Sequence, residues 1–244
     1  MKLENKVAII TGGANGMGET HVRLFIDEGA KVVLTDIDEE KGEQLANELG
    51  EDALFVKHDV SSEEDWIKVV EETKTHFGNI DVLVNNAGIS PATSIETMTL
   101  DEYMAVVNIN QVSVFLGMKA VVPSMKETET GSIVNVSSIN GLIAGSIGYT
   151  DTKFAVRGMT KAAAVELAGH GIRVNSVHPG IIKTPVVENS EAFDQIEAYA
   201  QMVPLQQRMA KPEEISKMVL FLASDDSSYS TGAEFVADGG LTAM

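Results

Sequence analysis

A doubly wound α/β fold in one domain, with a parallel sheet flanked by helices, is predicted by three features of this sequence. Short apolar runs rich in β-branched residues alternate with helical patterns along the chain. Most of these runs are apolar throughout, which is typical of strands that are buried on both faces. The 244 residues also contain no linker, low-complexity tract or internal repeat, and a chain of this length can bury one sizeable core.

Seven runs are predicted to be the strands of a seven-stranded sheet. Because helical stretches separate the first six runs, these are expected to be parallel and buried. In chain order the runs are 7–11, 31–36, 54–58, 82–85, 132–137, 173–177 and 235–237.

Helical patterns between the strands predict helices at 16–28, 39–49, 62–77, 100–122 and 149–168. Pro123 is expected to end the fourth helix, because proline lacks the N–H that a helix interior needs. The segment 184–210 interrupts the alternation and is expected to form a loop or a small helical lid over a substrate. Its apolar residues could form a wall of that site or equally the packing face of a lid helix: Phe193, Tyr199, Met202 and Val203.

A glycine-rich turn, from Thr11 to Gly18, joins the first strand to the first helix. Glycines let backbone amides approach a pyrophosphate, and a helix N-terminus adds unpaired N–H groups and a partial positive charge. These glycines could also form only a tight connection. The strand before the turn, the helix after it and an acid closing the second strand favour a Rossmann-type dinucleotide site. Its residues would be Gly12, Asn15, Gly16, Met17 and Gly18.

That acid is Asp36, eighteen residues after Gly18. A carboxylate there can accept hydrogen bonds from the adenosine ribose and would repel a 2′-phosphate. Ile37 follows it in the same predicted cofactor site, and no nearby arginine or lysine offers a phosphate clamp. NAD(H) is therefore predicted in preference to NADP(H), although a helix N-cap is an alternative role for the acid.

Composition excludes several other functions. The chain carries 18 Lys and Arg against 36 Asp and Glu, and its net charge of −18 would repel nucleic acids and anionic lipid. It has no cysteine, and its five histidines lack ligand spacing, so no metal site is predicted. No apolar run approaches the length needed to span a membrane. The N-terminus lacks an apolar signal core, so a cytoplasmic protein is expected.

Tyr149 and Lys153 are four residues apart on one face of the fifth predicted helix. A nearby cation can lower the pKa of a phenol, which permits proton exchange with an alcohol or carbonyl oxygen near neutral pH. The same spacing also occurs in surface pairs whose apolar stems pack together. The other motifs favour the chemical interpretation.

In combination, the motifs resemble the short-chain dehydrogenase/reductase family from about Lys6 to Gly240. Besides the glycine turn and the Tyr149–Lys153 pair, the resemblance rests on five further motifs: Asp59-Val60, Asn85 to Gly88, Asn110, Ser137-Ser138 and Pro179-Gly180. It implies an oxidoreductase that uses a nicotinamide cofactor.

The resemblance also implies further cofactor contacts. Asp59 would bond the adenine amino group with Val60 beside it, and the adenosine side would be lined by Asn86, Ala87 and Gly88. Each lies just past the end of a predicted strand, where open α/β sheets bind ligands. Asn85 is expected to brace the sheet instead. The nicotinamide side would be contacted by a loop that could also be a plain Pro-Gly turn, through Pro179, Gly180, Ile182 and Thr184.

By the same resemblance, four residues form the catalytic group: Asn110, Ser138, Tyr149 and Lys153. Ser138 would hydrogen-bond the substrate oxygen, and Tyr149 would act as general acid or base. Lys153 would lower the Tyr149 pKa and hold the nicotinamide ribose. Asn110 would hold a water that connects the lysine to solvent.

Three points in this group stay open. Asn108 competes with Asn110, although the spacing to Phe115 favours Asn110. Ser137 and Ser138 should face opposite sides of a strand, and the family pattern puts Ser138 in the site. The connection from Ser138 to Tyr149, however, is about two residues shorter than expected for the family. Asp151 stands where the family commonly has a small residue. It is expected to point away from Tyr149, and a subunit contact is one place it could point to.

We therefore expect an NAD(H)-dependent enzyme that interconverts a secondary alcohol and a ketone on a small to medium apolar substrate, which could be cyclic or steroid-like. Segments 162–167 and 172–180 resemble bacterial hydroxysteroid and secondary-alcohol dehydrogenases most strongly. One alternative is a 3-oxoacyl carrier-protein reductase, which the negative charge disfavours. A nucleotide-binding regulator without catalysis is another. The family implies a homotetramer or homodimer.

Overall fold

The predicted seven-stranded parallel sheet is confirmed by the computed structural model, which describes residues 1–91, 93–190 and 192–244. The strands are β1 (Val7–Thr11), β2 (Lys31–Asp36), β3 (Ala53–Lys57), β4 (Val82–Asn85), β5 (Gly131–Val136), β6 (Ile172–Pro179) and β7 (Glu234–Ala237). Their order across the sheet is β3-β2-β1-β4-β5-β6-β7. The central strands β1, β4 and β5 are buried along their whole length. Strand β3 was also expected to be buried, but it lies at an edge, and only Val56 in it is buried.

Helices cover both faces of the sheet. They are α1 (Gly16–Asp27), α2 (Glu39–Leu49), α3 (Glu63–His76), α4 (Leu100–Val107), α5 (Ser113–Thr128), α6 (Tyr149–Leu167), α7 (Pro185–Glu188), α8 (Phe193–Ala200) and α9 (Pro212–Ala223). Helices α1, α2 and α9 contribute to the core on one face, and α3, α5 and α6 to the core on the other. The sequence analysis did not predict α9.

Successive side chains of each strand enter different cores, as the two-residue period of a strand requires. In β1, Ile9 packs with α3, α5 and α6, whereas Ile10 packs with α1 and α9. Trp66 of α3 is among the largest fully buried side chains, and its indole N–H donates to the carbonyl of Val60 at 2.9 Å. The indole is therefore buried with its one donor satisfied.

The helix that contains Pro123 does not end there. Helix α5 runs through Pro123 to Thr128, so the predicted stop was wrong. Pro123 is exposed, while Val121 and Met125 are fully buried. Packing of these two side chains outweighs the hydrogen bond that the proline cannot make.

Residues Leu100–Thr128 form one helical stretch that, by length and composition alone, could cross a membrane. The sequence analysis had excluded any run of that length. In this fold the stretch is a core element, because Val106, Val114 and Val121 are almost completely buried. It is interrupted by a π-helical turn, Asn108–Val112.

Strands β1 and β4 are neighbours, but the chain leaves β1 toward β2 and later continues from β4 toward β5. This reversal of direction opens a crevice at the carboxyl ends of the two strands, where open α/β sheets bind ligands. The glycine turn follows β1, and Asn86 follows β4. The fold therefore brings the two predicted cofactor segments together.

The predicted lid segment contains the short helices α7 and α8, with residue 191 outside the described residues. Val203 is 3% exposed and packs with Ile139 and Leu241, so it is a packing residue. Tyr199 and Met202, in contrast, are exposed. Whether this segment covers a substrate stays a prediction.

We predict that Pro123→Ala raises the free energy of unfolding by about 1–2 kcal/mol. Proline costs ~3 kcal/mol relative to alanine inside a helix, and its stiffening of the unfolded chain offsets up to about 1 kcal/mol of that cost. Urea unfolding measures the change. Pro212→Ala is the matched control, since Pro212 lies in the first turn of α9, where no N–H partner is needed. Equal stabilisation by both substitutions would contradict the explanation.

Candidate active site

The glycine turn after β1 depends on glycine at specific positions. Gly12 and Gly16 have φ angles of +62° and +58°, which side chains other than glycine rarely adopt. A Cβ on Gly18 would collide with the Gly12 carbonyl oxygen, so the turn and α1 pack in direct backbone contact. Asn15 caps α1 by accepting from the Gly16 N–H at 2.8 Å. The N–H groups of the first turn of α1 therefore lie at the carboxyl end of β1.

Asn86 joins the glycine turn to the end of β4. Its amide nitrogen donates to the Thr11 carbonyl at 2.9 Å and to the Gly12 carbonyl at 3.2 Å. The other side-chain atom, Oδ1, is buried and has no hydrogen-bond partner within the described residues. A buried acceptor without a donor is costly, and a donor on a bound ligand would relieve that cost. Asn85 instead donates to Asn135 on β5 at 2.9 Å, as expected of a residue that braces the sheet.

Asp36 lies at the end of β2 and turns its carboxylate toward the glycine turn. It accepts from the Ala14 N–H at 3.2 Å and from the Asp38 N–H at 3.1 Å. Lys41 lies close enough to feel this acid: its pKa is raised mainly by Asp38 and to a smaller extent by Asp36. The absence of a phosphate clamp stays a prediction. Lys41 forms its ion pair with Asp38, at 2.9 Å.

The remaining adenosine-side candidates lie at neighbouring strand ends. Asp59 is exposed and accepts from the backbone N–H and the hydroxyl of Ser61. Val60 is almost buried and Ile37 is 72% exposed. Strand β3, which ends just before Asp59, pairs with β2 in register at Asp36 and Lys57.

Tyr149 and Lys153 lie in the first two turns of α6, with the lysine Nζ 5.5 Å from the centre of the phenol ring. Lys153 is 3% exposed and donates to the Val136 carbonyl, at the end of β5, at 2.9 Å. Burial lowers the pKa of Lys153 to about 8. Burial raises the pKa of Tyr149, and the Ser138 hydroxyl opposes that rise. The net shift of the Tyr149 pKa is therefore upward, and the expected opposing effect of Lys153 stays a prediction.

Asn110 lies in the π-helical turn and is completely buried. Its side-chain amide donates to the Ile89 carbonyl and accepts from the Ile89 N–H, both at 2.8 Å. A Cβ added to Gly88 would lie 3.2 Å from Asn110 Oδ1 and 3.5 Å from Lys153 Nζ. Asn110, rather than Asn108, is thus the asparagine beside the lysine. Its amide is already paired, so any water relay would use its backbone.

The two adjacent serines after β5 have different partners. Ser137 donates to the Lys153 carbonyl at 3.0 Å and so anchors α6. Ser138 is 7% exposed, and its hydroxyl accepts from the Asn140 N–H at 3.1 Å, beside the Tyr149 phenol. Of the two serines, Ser138 is therefore the one close to the phenol.

The loop after β6 reaches back over the glycine turn. A Cβ on Gly16 would lie 3.6 Å from the Thr184 side chain, and Thr184 caps α7. Ile182 pairs with Ala210 in a short parallel bridge whose hydrogen bonds use the flanking residues 181 and 183. The N–H and carbonyl of Ile182 are left out of this bridge. Gly180 packs so closely on Asp238 that a Cβ would lie 2.8 Å from its Cα.

Asp151 faces away from Tyr149, as expected. Its carboxylate accepts from the Tyr103 phenol of α4 at 2.6 Å, and this bond raises the pKa of Tyr103. The partner lies within the same chain, so the hydrogen bond ties α4 to the start of α6. The other carboxylate oxygen, Oδ1, is buried without a partner among the described residues.

Sequence reasoning missed two side chains behind Ser138. His178 Nδ1 lies 2.9 Å from the Ser138 carbonyl oxygen, and Arg157 donates to the Gly141 carbonyl at 2.6 Å. Ser176 and His178 alternate with Val177 at the end of β6, so both polar side chains lie on one face of the strand. This alternation was the sequence signal from which the role of His178 could have been predicted. No sequence pattern indicated the contact of Arg157.

A cavity of about 430 Å³ lies between the lid segment and the end of β7. Val203, Arg208, Glu214 and Asp238 are among its lining residues, whereas Ser138 and Tyr149 are not. We therefore do not assign the chemistry to this cavity.

The chain was compared with known proteins. The family profile described as enoyl-(acyl carrier protein) reductase matches residues 12–242. A 3-alpha-(or 20-beta)-hydroxysteroid dehydrogenase of Mycobacterium tuberculosis is 50% identical, with 99% of this chain and 91% of that protein covered. A cyclopentanol dehydrogenase of Comamonas testosteroni is 44% identical, with 99% of each chain covered. An NADP-dependent (R)-specific alcohol dehydrogenase of Lentilactobacillus kefiri is 41% identical, with 100% and 99% covered.

We predict that Tyr103→Phe destabilises the protein by about 1–3 kcal/mol, because it leaves a partly buried carboxylate without its donor. Urea unfolding measures the effect. The matched experiment repeats the substitution in an Asp151→Ala background, where it should cost much less. An equal cost in both backgrounds would mean that the hydrogen bond contributes nothing.

Proposed function

Because the chain belongs to the short-chain dehydrogenase/reductase family, we propose that it interconverts a secondary alcohol and a ketone with a nicotinamide cofactor. The observation that carries the proposal is the meeting of Ser138, Tyr149, Lys153 and Asn110 beside the crevice of the glycine turn. A phenol, a buried ammonium group and a hydroxyl at one end of a sheet suit proton transfer to a carbonyl oxygen.

The nicotinamide would supply or accept the hydride at the carbon that bears the reacting oxygen. Ser138 would donate a hydrogen bond to that oxygen and hold it within reach of the Tyr149 phenol. In ketone reduction Tyr149 would give its proton to the oxygen, and in alcohol oxidation its phenolate would take the proton back. Burial raises the pKa of Tyr149, which agrees with a phenol that carries the proton it would donate.

Lys153 would stabilise the phenolate electrostatically once the proton has left. With a pKa of about 8, it is largely protonated at pH 7 and can replace a proton in the site. Its ammonium group would also bond the nicotinamide ribose. Asn110 would complete a path to solvent through a water on its backbone, because its side-chain amide is paired with Ile89.

The residues around the crevice fit a dinucleotide. The amides of the glycine turn suit a pyrophosphate. Asn86 Oδ1, which is buried without a partner among the described residues, suits a donor on the adenosine side. We propose NAD(H) over NADP(H), since the Asp36 carboxylate would repel a 2′-phosphate. The two lysines around it, Lys41 and Lys57, are paired with Asp38 and Glu39. Family membership does not decide this point, because one relative is NADP-dependent.

For the substrate we propose an apolar secondary alcohol of small to medium size, with cyclic alcohols and hydroxysteroids as the first candidates. The relatives named for hydroxysteroid and cyclopentanol oxidation cover the whole chain. The family profile is described by a carrier-protein activity, but acidic carrier proteins would be repelled by a net charge of −18. Efficient turnover of a carrier-protein thioester would overturn this choice. A homotetrameric or homodimeric assembly in the cytoplasm completes the proposal by family analogy.

We predict that Tyr149→Phe lowers kcat for any accepted ketone by at least about 100-fold, the lower range for a general acid, while the Kd for NADH changes little. NADH consumption and NADH fluorescence measure the two quantities. Tyr229→Phe is the control, because Tyr229 is fully exposed and should tolerate the same change. A Tyr149→Phe enzyme as active as the unmodified one would refute the assignment, and it would favour a regulator that only binds nucleotide.

We predict that Asp36→Ala reduces the preference for NADH over NADPH by about 10-fold or more, because the substitution removes both the ribose acceptor and the repulsion of a 2′-phosphate. The kcat/KM ratio for the two cofactors measures it. Glu40→Ala removes the same charge four residues away and should leave the ratio unchanged. Tighter binding of NADPH than NADH by the unmodified protein would show that the cofactor assignment is wrong.

A further inference from the structure

His178 is a completely buried histidine at the end of β6, directly behind Ser138. Its Nδ1 lies 2.9 Å from the Ser138 carbonyl oxygen, and its Nε2 lies 2.9 Å from the Ser176 hydroxyl. A carbonyl oxygen can only accept, so Nδ1 carries the hydrogen. Burial lowers the pKa of His178, and the neutral ring then accepts from Ser176 through Nε2. The neutral ring is therefore the tautomer with its hydrogen on Nδ1.

The bond from His178 fixes the peptide group that follows Ser138. The same carbonyl accepts from the Gly141 N–H at 2.9 Å, and the Ser138 hydroxyl accepts from the Asn140 N–H at 3.1 Å. With its carbonyl held by two donors, Ser138 has little freedom to rotate about its backbone. The direction of its hydroxyl follows from that restraint.

Arg157 holds the far end of the same turn. It donates to the Gly141 carbonyl at 2.6 Å, and its other nitrogen pairs with Glu234 of β7 at 3.0 Å. The first and last carbonyls of residues 138–141 are thus bonded by side chains from β6 and α6. These anchors lie at the start of the short connection between Ser138 and Tyr149.

We propose that His178 and Arg157 are positioning residues, which aim the Ser138 hydroxyl at the substrate oxygen by restraining residues 138–141. The proposal rests on the proposed function, since it concerns the serine of that site. Both side chains would act through the backbone of residues 138–141, to which they donate. Their effect is to hold the Ser138 hydroxyl in place, so that the substrate oxygen bound to it lies in the narrow geometry that proton transfer from Tyr149 requires.

His178→Leu, which removes the donor, should lower kcat for ketone reduction by roughly 10- to 100-fold, the range for a small misplacement of reacting groups. The Kd for NADH should stay within about twofold, because the His178 ring bonds Ser138 and Ser176 and is buried away from the crevice, although Pro179 follows it in the chain. His178→Asn places an amide N–H near the position of Nδ1 and should recover most of the loss. Unchanged kcat in folded His178→Leu, or equal loss in the Asn and Leu variants, would overturn the proposal.

The matched control is His21→Leu. His21 is equally buried, and it is bonded to Ser216 at 2.7 Å on the side of α1 that faces α9. It should lose thermal stability and retain kcat. If His21→Leu lowers kcat as much as His178→Leu does, replacement of any buried histidine by leucine has this effect, and the proposal is overturned.

The tautomer can be read in the unmodified protein by ¹⁵N NMR of labelled histidine, so a variant that fails to fold leaves the proposal testable. Hydrogen on Nδ1 supports it, and hydrogen on Nε2 alone overturns it. A second variant, Arg157→Met, should also lower kcat with NADH binding retained, and unchanged kcat would remove Arg157 from the proposal. If the unmodified protein reduces no ketone, the proposed function is wrong. If it does reduce ketones and neither His178→Leu nor Arg157→Met changes kcat, only the positioning role is wrong.

Discussion

The pairing of β1 with β4 is the constraint on which the site depends. These strands are distant in sequence, and their parallel hydrogen bonds place the glycine turn against Asn86. The Thr11 hydroxyl consolidates the junction by accepting from the N–H groups of Asn86 and Ala87. Asn110 and Lys153 lie next to this junction, because a Cβ added to Gly88 would lie 3.2 Å and 3.5 Å from their side chains.

Burial of charge without a counterion governs the chemistry of the site. Lys153 has a backbone carbonyl for a partner rather than a carboxylate, and this explains its lowered pKa. The carboxylate of Asp151, two residues earlier, is turned to Tyr103 instead. The nearest carboxylate along α6 therefore faces neither the Tyr149 phenol nor the Lys153 ammonium group. In the proposed reaction, the Asp151 carboxylate would therefore not compete for the proton that moves between Tyr149 and the substrate.

Local sequence patterns were sufficient to predict the strands and most helices, because apolar runs and the positions of glycine and proline depend only on residues that are close together in the sequence. They failed where tertiary packing decides. Helix α5 passes Pro123 because its neighbours are buried, and α9 was missed although its apolar face packs on α1. In the site, Ser138 and Asn110 were found through motifs. His178, Arg157 and Tyr103 were not, since their partners lie 40, 16 and 48 residues away.

The reciprocal pairing of Asn110 with the backbone of Ile89 has a consequence for which side chains this position tolerates. The amide meets a backbone carbonyl with a donor and a backbone N–H with an acceptor, whereas an ionised carboxylate of the same shape can only accept. An aspartate, which a single base change would introduce, would set a negative oxygen against the Ile89 carbonyl in a completely buried place. The amide at this corner beside Gly88 is therefore fixed by its partners and not only by its size.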